Sequence, residues 1–204
     1  MRCPFCGVRR YRFDMTYDEM KDKLQSRLKT TRFIHSVGVA ESAVYLAKRF
    51  GVDVEKARIA GLLHDCARQY PNEQMISEAD KRHISYGEVE KSMPLLLHGY
   101  IGAELIREEY GVEDEEIAQA IYRHTVGGAA MTDLDKIIYF ADMIEPARDY
   151  PAVEHLRELS KTVSLDEMVL AGLSQSIEFV LNKNHLIHPD TVVARNEILL
   201  KLKK

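Results

Sequence analysis

Four histidines and two aspartates stand at the edges of apolar runs, and they share one chemistry: coordination of a divalent cation through imidazole nitrogen and carboxylate oxygen. His35 follows "RFI", His64 and Asp65 close the apolar part of "GLLHDCARQY", His98 follows "LLL", His124 ends "AQAIYRH", and Asp142 follows "IIYFA". A single histidine beside an apolar stripe is ordinarily a core or boundary residue bonded to a neighbour. Asp142 inside "YFADMI" resists that reading, because a carboxylate in an apolar helix is costly unless it is paired or coordinates a cation. Separate helices that each bring such a residue to the edge of an apolar run are how a bundle holds metal in its interior. His64 and Asp65, read as neighbours on one helix, point about 100° apart. They can share a metal over the flank between them, and the second oxygen of Asp65 can bridge to a neighbouring ion. With no thiolate in the set, iron, manganese, zinc or another divalent ion is suited, and residue types alone do not choose.

Helix signals dominate the elements that must position these side chains. "TTRFIHSVGVAESAVYLAKRFG" has apolar residues at helical spacing and Gly51 as its stop. "DVEKARIAGLLHDCAR" starts at Asp53, a good N-cap, and is read as one helix running through His64 and Asp65. "PLLLHGYIGAELIREEYG" runs from Pro94 to Gly111, and "EDEEIAQAIYRH" carries acidic residues in its first turn, as the helix dipole prefers. "TDLDKIIYFADMIEP" and "SLDEMVLAGLSQSIEFVLNKN" open with Thr132/Asp135 and Ser164/Glu167 in capping-box spacing. A last helix starts at Asp190, and polar residues 72–92 read as a short helix plus a loop. No strand alternation, repeat or low-complexity segment is present. The expectation is an all-α helical bundle over 16–204, preceded by an N-terminal tail, 1–15.

The chain of 204 residues is 46% apolar and 29% charged, which is globular composition and enough for one core. A net charge of −4 argues against holding nucleic acid by bulk electrostatics. An anionic substrate must therefore be met by local cations. No apolar run approaches the roughly 20 residues that span a bilayer, and "MRCPFCGVRRYR" lacks the apolar core of a signal peptide. A cytoplasmic protein without membrane partners is expected. Cys3 and Cys6 form a CPFC pair with no second CxxC to complete a zinc site. The pair reads as part of a loose extension, a metal site completed by other ligands, or a redox pair. Cys66, inside "HDC", reads as a small buried thiol that packs. His83, His155 and His185 lie in polar surroundings and are expected at the surface.

The order His35, His64–Asp65, Asp142 resembles the H…HD…D signature of the HD superfamily of metal-dependent phosphohydrolases. "TRFIHSVGV", "LLHDCAR", "LLLHGYIGA", "RHTVG", "KIIYFADMIEPAR" and "LIHPDTVVARNEIL", in that order across about residues 17–201, resemble the bacterial YqeK family within it. A bare HD dipeptide is a weak signal, whereas "ADMIEPAR" with the other segments in sequence is specific. The resemblance implies an all-helical HD-domain bundle with a dinuclear metal site in its interior. It also implies symmetrical hydrolysis of diadenosine tetraphosphate to two ADP by metal-activated water, with iron the favoured metal. The ligands it implies are His35, His64, Asp65, His98, His124 and Asp142, with Asp65 bridging. It further suggests a homodimer. Val126 stands where the family commonly shows a second threonine, and the CPFC tail is outside the pattern.

Arg68, three residues after Asp65, occupies the position where related HD enzymes aim a cation at phosphate, and Asp65 and Arg68 are the expected catalytic pair. Arg32 and Arg148 flank the other ligands, and guanidinium suits phosphate because its donors bind two oxygens while staying charged. Thr125 and Glu145 are further candidate substrate contacts, although Glu145 could equally orient Arg148. His188 in "LIHPDT" is expected to shape the turn before the last helix. Other nucleotides served by the same metals are a nucleoside monophosphate, a dNTP or a guanosine alarmone. A non-catalytic nucleotide-binding regulator and a helical interaction protein with a closed structural metal are the readings from other classes.

Overall fold

The computed structural model describes residues 14–204; Cys3 and Cys6 lie outside them. Among the described residues the secondary structure is helical, with no strand. Helix α1 (Tyr17–Arg27) starts at a capping box in which the Thr16 hydroxyl accepts from Glu19 N–H and the Glu19 carboxylate accepts from Thr16 N–H. It is followed by α2 (Thr30–Phe50), α3 (Val54–Leu63), α4 (Met75–Lys81), α5 (Glu88–Ser92) and α6 (Leu97–Tyr110). Helices α7 (Glu115–Arg123), α8 (Asp133–Ile144), α9 (Val153–Thr162), α10 (Leu165–Asn182) and α11 (Pro189–Leu202) complete the order. Asp53, Asp114, Thr132 and Ser164 cap the helices that follow them. Gly51 (φ 71°) and Gly111 (φ 62°) stop α2 and α6 in the left-handed conformation that favours glycine.

Two readings of the sequence need correction. Helix α3 ends at Leu63 rather than continuing to Arg68. His64 keeps helical angles, but Asp65 leaves them (φ −104°, ψ 15°) and caps a 3-10 turn, Cys66–Gln69. Short aspartate side chains weaken helix interiors, and here the break gives Asp65 a direction that helix geometry would deny it. Residues 72–92 hold two short helices, α4 and α5, rather than one. Helices α1 and α9, which the pattern reading did not single out, flank the bundle.

Helices α2, α3, α6, α7 and α8 enclose the core, with Leu46, Leu62, Leu63, Ile101, Leu105, Ile121, Ile137 and Phe140 fully buried. Helices α2 and α3 cross closely. A Cβ added at Gly61 would lie 2.8 Å from the Ala40 Cα and 3.1 Å from the Val39 carbonyl oxygen. Main chain meets main chain there, so neither helix can yield locally. His35 sits on one of these helices and His64 at the end of the other. Gly61→Ala is expected to force them apart at about 1–3 kcal/mol, read as a melting temperature lower by several degrees.

The C-terminal helix is tied in by a polar cluster. His188 caps α11 by accepting from Asp190 N–H, and its other nitrogen donates to buried Glu90 at 3.0 Å, as expected of a residue that shapes this turn. Tyr100 O–H also donates to Glu90, at 3.2 Å. Burial alone would raise the Glu90 carboxyl, but the bonds from His188 and the Gly87 N–H hold it below its ordinary value. A lowered carboxyl stabilises the fold above the ordinary carboxylate pKa, and that contribution disappears as pH falls through the folded-state value. Glu90→Ala, which removes the acceptor of buried Tyr100 and half-buried His188, is expected to cost about 1–3 kcal/mol at neutral pH. Urea titrations of both proteins should show the gap narrowing once the pH drops below about 4.

Candidate metal centre

The histidines owe their orientation to main-chain carbonyls three residues earlier. Nδ1 of His64 lies 2.8 Å from the Gly61 oxygen, Nδ1 of His98 2.5 Å from Leu95, and Nδ1 of His124 2.6 Å from Ile121. A carbonyl oxygen only accepts, so each ring carries its proton on Nδ1 and, when neutral, leaves Nε2 as an unprotonated lone pair. His35 uses a carboxylate for the same purpose, with Nδ1 3.0 Å from Glu145 Oε1. These sites fall where helices begin or end: His98 in the first turn of α6, and His64 and His124 just past α3 and α7.

The four Nε2 atoms converge. His35 and His64 face each other at 3.2 Å, and His98 and His124 at 2.9 Å. Asp65 lies between the pairs. Its Oδ2 is 3.6 Å from His35 and 3.5 Å from His64, while Oδ1 is 3.1 Å from His98 and 3.9 Å from His124. Asp142 Oδ1 joins the first pair, 3.0 Å from His35 Nε2 and 3.9 Å from His64 Nε2. Lone pairs aimed at one another and at a carboxylate repel unless a cation lies among them, and this donor set fits divalent metal. The groups His35–His64–Asp142 and His64–Asp65–His124 each bring three ligand atoms within 4.8 Å of one another.

Burial keeps two of the imidazoles in the metal-binding form. It lowers His64 and pulls His124 down to about 3, so both rings are neutral near pH 7. Burial would also raise the carboxyls of Asp65 and Asp142, but the surrounding imidazoles, and for Asp142 also Arg148, hold both well below the usual range. Burial lowers His35 too, but its hydrogen bonds to Asp142 and Glu145 prevail and the net shift is upward.

The other expected site residues divide by what they touch. Arg32 Nη1 donates to Asp65 Oδ2 at 2.8 Å, and Arg148 donates to both the Asp142 carboxylate and its main-chain oxygen. Thr125 Oγ1 is 3.1 Å from His124 Nε2 and 3.4 Å from His98 Nε2. Arg68 is half-buried and its guanidinium has no hydrogen bond or ion pair among the described residues. Burial lowers its pKa against the opposing pull of Asp65. Glu145, expected among the substrate contacts, is instead buried behind His35, with Oε1 on that ring and Oε2 accepting from Ala147 N–H at 2.7 Å. Cys66 is buried and its thiol is pushed up to about 12 by burial, which leaves it to pack. His83, His155 and His185 are exposed. The carbonyls of Gly61, Leu95 and Ile121 carry no residue signature and could not be found by type.

Gly38 marks how closely α2 approaches Glu145, since a Cβ there would lie 2.7 Å from Glu145 Oε2 and 3.3 Å from Pro146 Cδ. Gly38→Ala is expected to push Glu145 off His35 and weaken metal uptake about tenfold, in the range seen when a ligand's hydrogen-bond partner is lost. Metal titration of the purified variant checks this.

A buried cluster of imidazoles and carboxylates near helix ends fits the site of an HD-type hydrolase, and the HD domain model matches residues 32–147. The chain is 38% identical over 182 residues to the symmetrical bis(5'-nucleosyl)-tetraphosphatase of Bacillus subtilis, covering 89% of this chain and 97% of that protein. It is 40% identical to the protein so named from Halalkalibacterium halodurans, over 84% and 91% of the two chains. A crystal structure from Clostridium acetobutylicum, described as a predicted HD superfamily hydrolase involved in NAD metabolism, superposes with a TM-score of 0.87 at 38% identity. It covers 92% of this chain and 98% of that one. The chain belongs to the HD-domain family of symmetrical bis(5'-nucleosyl)-tetraphosphatases.

Proposed function

We propose that this chain hydrolyses diadenosine tetraphosphate symmetrically to two ADP, using a pair of divalent ions held by His35, His64, Asp65, His98, His124 and Asp142. The observation that carries the reading is the convergence of four imidazole Nε2 atoms on the two oxygens of one aspartate. Such ions would be held by His35, His64, Asp65 and Asp142 and by Asp65, His98 and His124. Iron is favoured by the family resemblance, and manganese and zinc suit the same ligands. Bound there, the ions would supply Lewis acidity, lowering the pKa of a coordinated water and drawing charge from the phosphate oxygens.

The residues of the chain do the remaining work. Glu145 fixes the tautomer and angle of His35, a positioning role in place of the substrate contact expected from sequence. Arg68, a half-buried cation without a hydrogen-bond or ion-pair partner among the described residues, meets a phosphate oxygen and offsets charge on the bridge. Arg32 and Arg148 hold Asp65 and Asp142 in place and present their remaining donors to the polyphosphate. Thr125 adds a hydroxyl at the rim of the His98–His124 pair. Symmetrical cleavage joins the oxygen of water to one of the two central phosphorus atoms. The bridging oxygen leaves with the other, and each half departs as ADP.

The test is anaerobic purification, metal analysis and chromatography of products from diadenosine tetraphosphate. The expected result is about two metals per chain, ADP as sole product, loss of turnover with chelator, and Asp65→Asn inactive by at least a hundredfold. AMP plus ATP would mean cleavage at a different bond. Metal uptake with turnover only of a monophosphate, dNTP or guanosine alarmone would replace the substrate.

A further inference from the structure

Helix α8 carries Asp142 near its C-terminal end, where the last carbonyls of a helix have no partner within it. Here they are satisfied from the chain that follows. The Asp142 oxygen accepts from Arg148 Nε at 2.8 Å, and the Met143 oxygen accepts from Tyr150 O–H at 2.8 Å. The Ile144 oxygen accepts from Arg157 Nε at 3.0 Å. The same guanidinium continues past the helix, with Nη2 donating to the Glu145 oxygen at 2.7 Å and to the Arg148 oxygen at 3.0 Å. Its remaining nitrogen is bound to Glu154 on its own helix, α9. Arg157 lies outside the segment 32–147 matched by the HD domain model.

The residues whose main chain Arg157 gathers serve the metal centre with their side chains. Glu145 orients His35, and Arg148 is bonded to Asp142. The geometry points to Arg157 as a positioning residue: one guanidinium binds the carbonyls of Ile144, Glu145 and Arg148 and thereby sets the His35–Asp142 half of the metal centre from outside it. A planar fork with several fixed donors is suited to this, and a lysine ammonium, one point on a flexible stem, is not. The inference rests on the proposed metal-dependent hydrolysis, but metal affinity reads it without turnover.

A comparator is available within the fold. Arg49 binds the carbonyl oxygens of Ser160 and Val163 at 2.7 Å each, an analogous cap on the end of α9 that touches no residue of the metal centre. The experiment compares wild type, Arg157→Ala, Arg157→Lys and Arg49→Ala in the full chain. Manganese affinity is measured by chelator competition, the folded state by thermal melting, and hydrolysis of diadenosine tetraphosphate as kcat and KM. Arg157→Ala is expected to bind manganese about 10- to 100-fold more weakly and to lose kcat more than KM. Millimolar guanidinium ion should restore part of both, and Arg157→Lys should remain impaired. Arg49→Ala should melt earlier while binding manganese as wild type does.

The inference is overturned if Arg157→Ala keeps wild-type manganese affinity, if guanidinium restores nothing, or if Arg49→Ala weakens manganese binding as much. Wild-type protein that binds manganese without cleaving the dinucleotide would overturn the substrate reading alone, leaving Arg157 judged on affinity and rescue. Wild-type protein that takes up no metal would overturn both.

Discussion

The Nδ1 protons of His64, His98 and His124 are held by main-chain carbonyls, and the candidate metal centre depends on that arrangement. A histidine is useful as a ligand only if its proton is on the far side of the ring. Three separate carbonyls provide this by the same short-range geometry, the acceptor three residues before the ring. Because the acceptor belongs to the backbone, it is as rigid as the helix end that presents it. The helix ends are in turn held by the core beneath them. The orientations of these three rings are thus set by packing, whereas His35 takes its orientation from the Glu145 side chain.

Asp65 is the exception that makes the arrangement a site. A carboxylate on a continuing helix would have pointed along the flank. By leaving helical angles it places one oxygen toward each imidazole pair. The close crossing at Gly61 brings α3 against α2, so that His64 and Asp65 reach the ring of His35. The chemistry therefore rests on two modest irregularities, a missing side chain at Gly61 and a broken helix at Asp65.

Much of this was legible in the sequence. All six expected ligands come together, because an acidic or imidazole residue at the edge of an apolar run is a strong statement about burial. The capping boxes at Thr132 and Ser164 and the glycine stops at Gly51 and Gly111 mark the elements they were read to mark. What stayed hidden has physical reasons. The end of α3 at Leu63 precedes His64, Asp65 and Cys66, weak helix formers that permit a break without fixing its place, and tertiary context decides it. Glu145 reads as a substrate contact or a partner for Arg148, and its place behind His35 depends on contact across 110 residues. Arg157 acts through carbonyls, which every residue has, so its role leaves no pattern to find.

That separation along the chain divides the centre in time as well as in space. His98 meets His124 across 26 residues, whereas His35 meets Glu145 across 110. The entropy of closing the longer loop exceeds that of the shorter by about 1 kcal/mol, a small difference for a finished molecule. For a chain still leaving the ribosome it matters more, because the far partner does not yet exist. The His98–His124 pair can form as soon as α6 and α7 have emerged. The other half must wait until α8, and the guanidinium that holds its end, have followed.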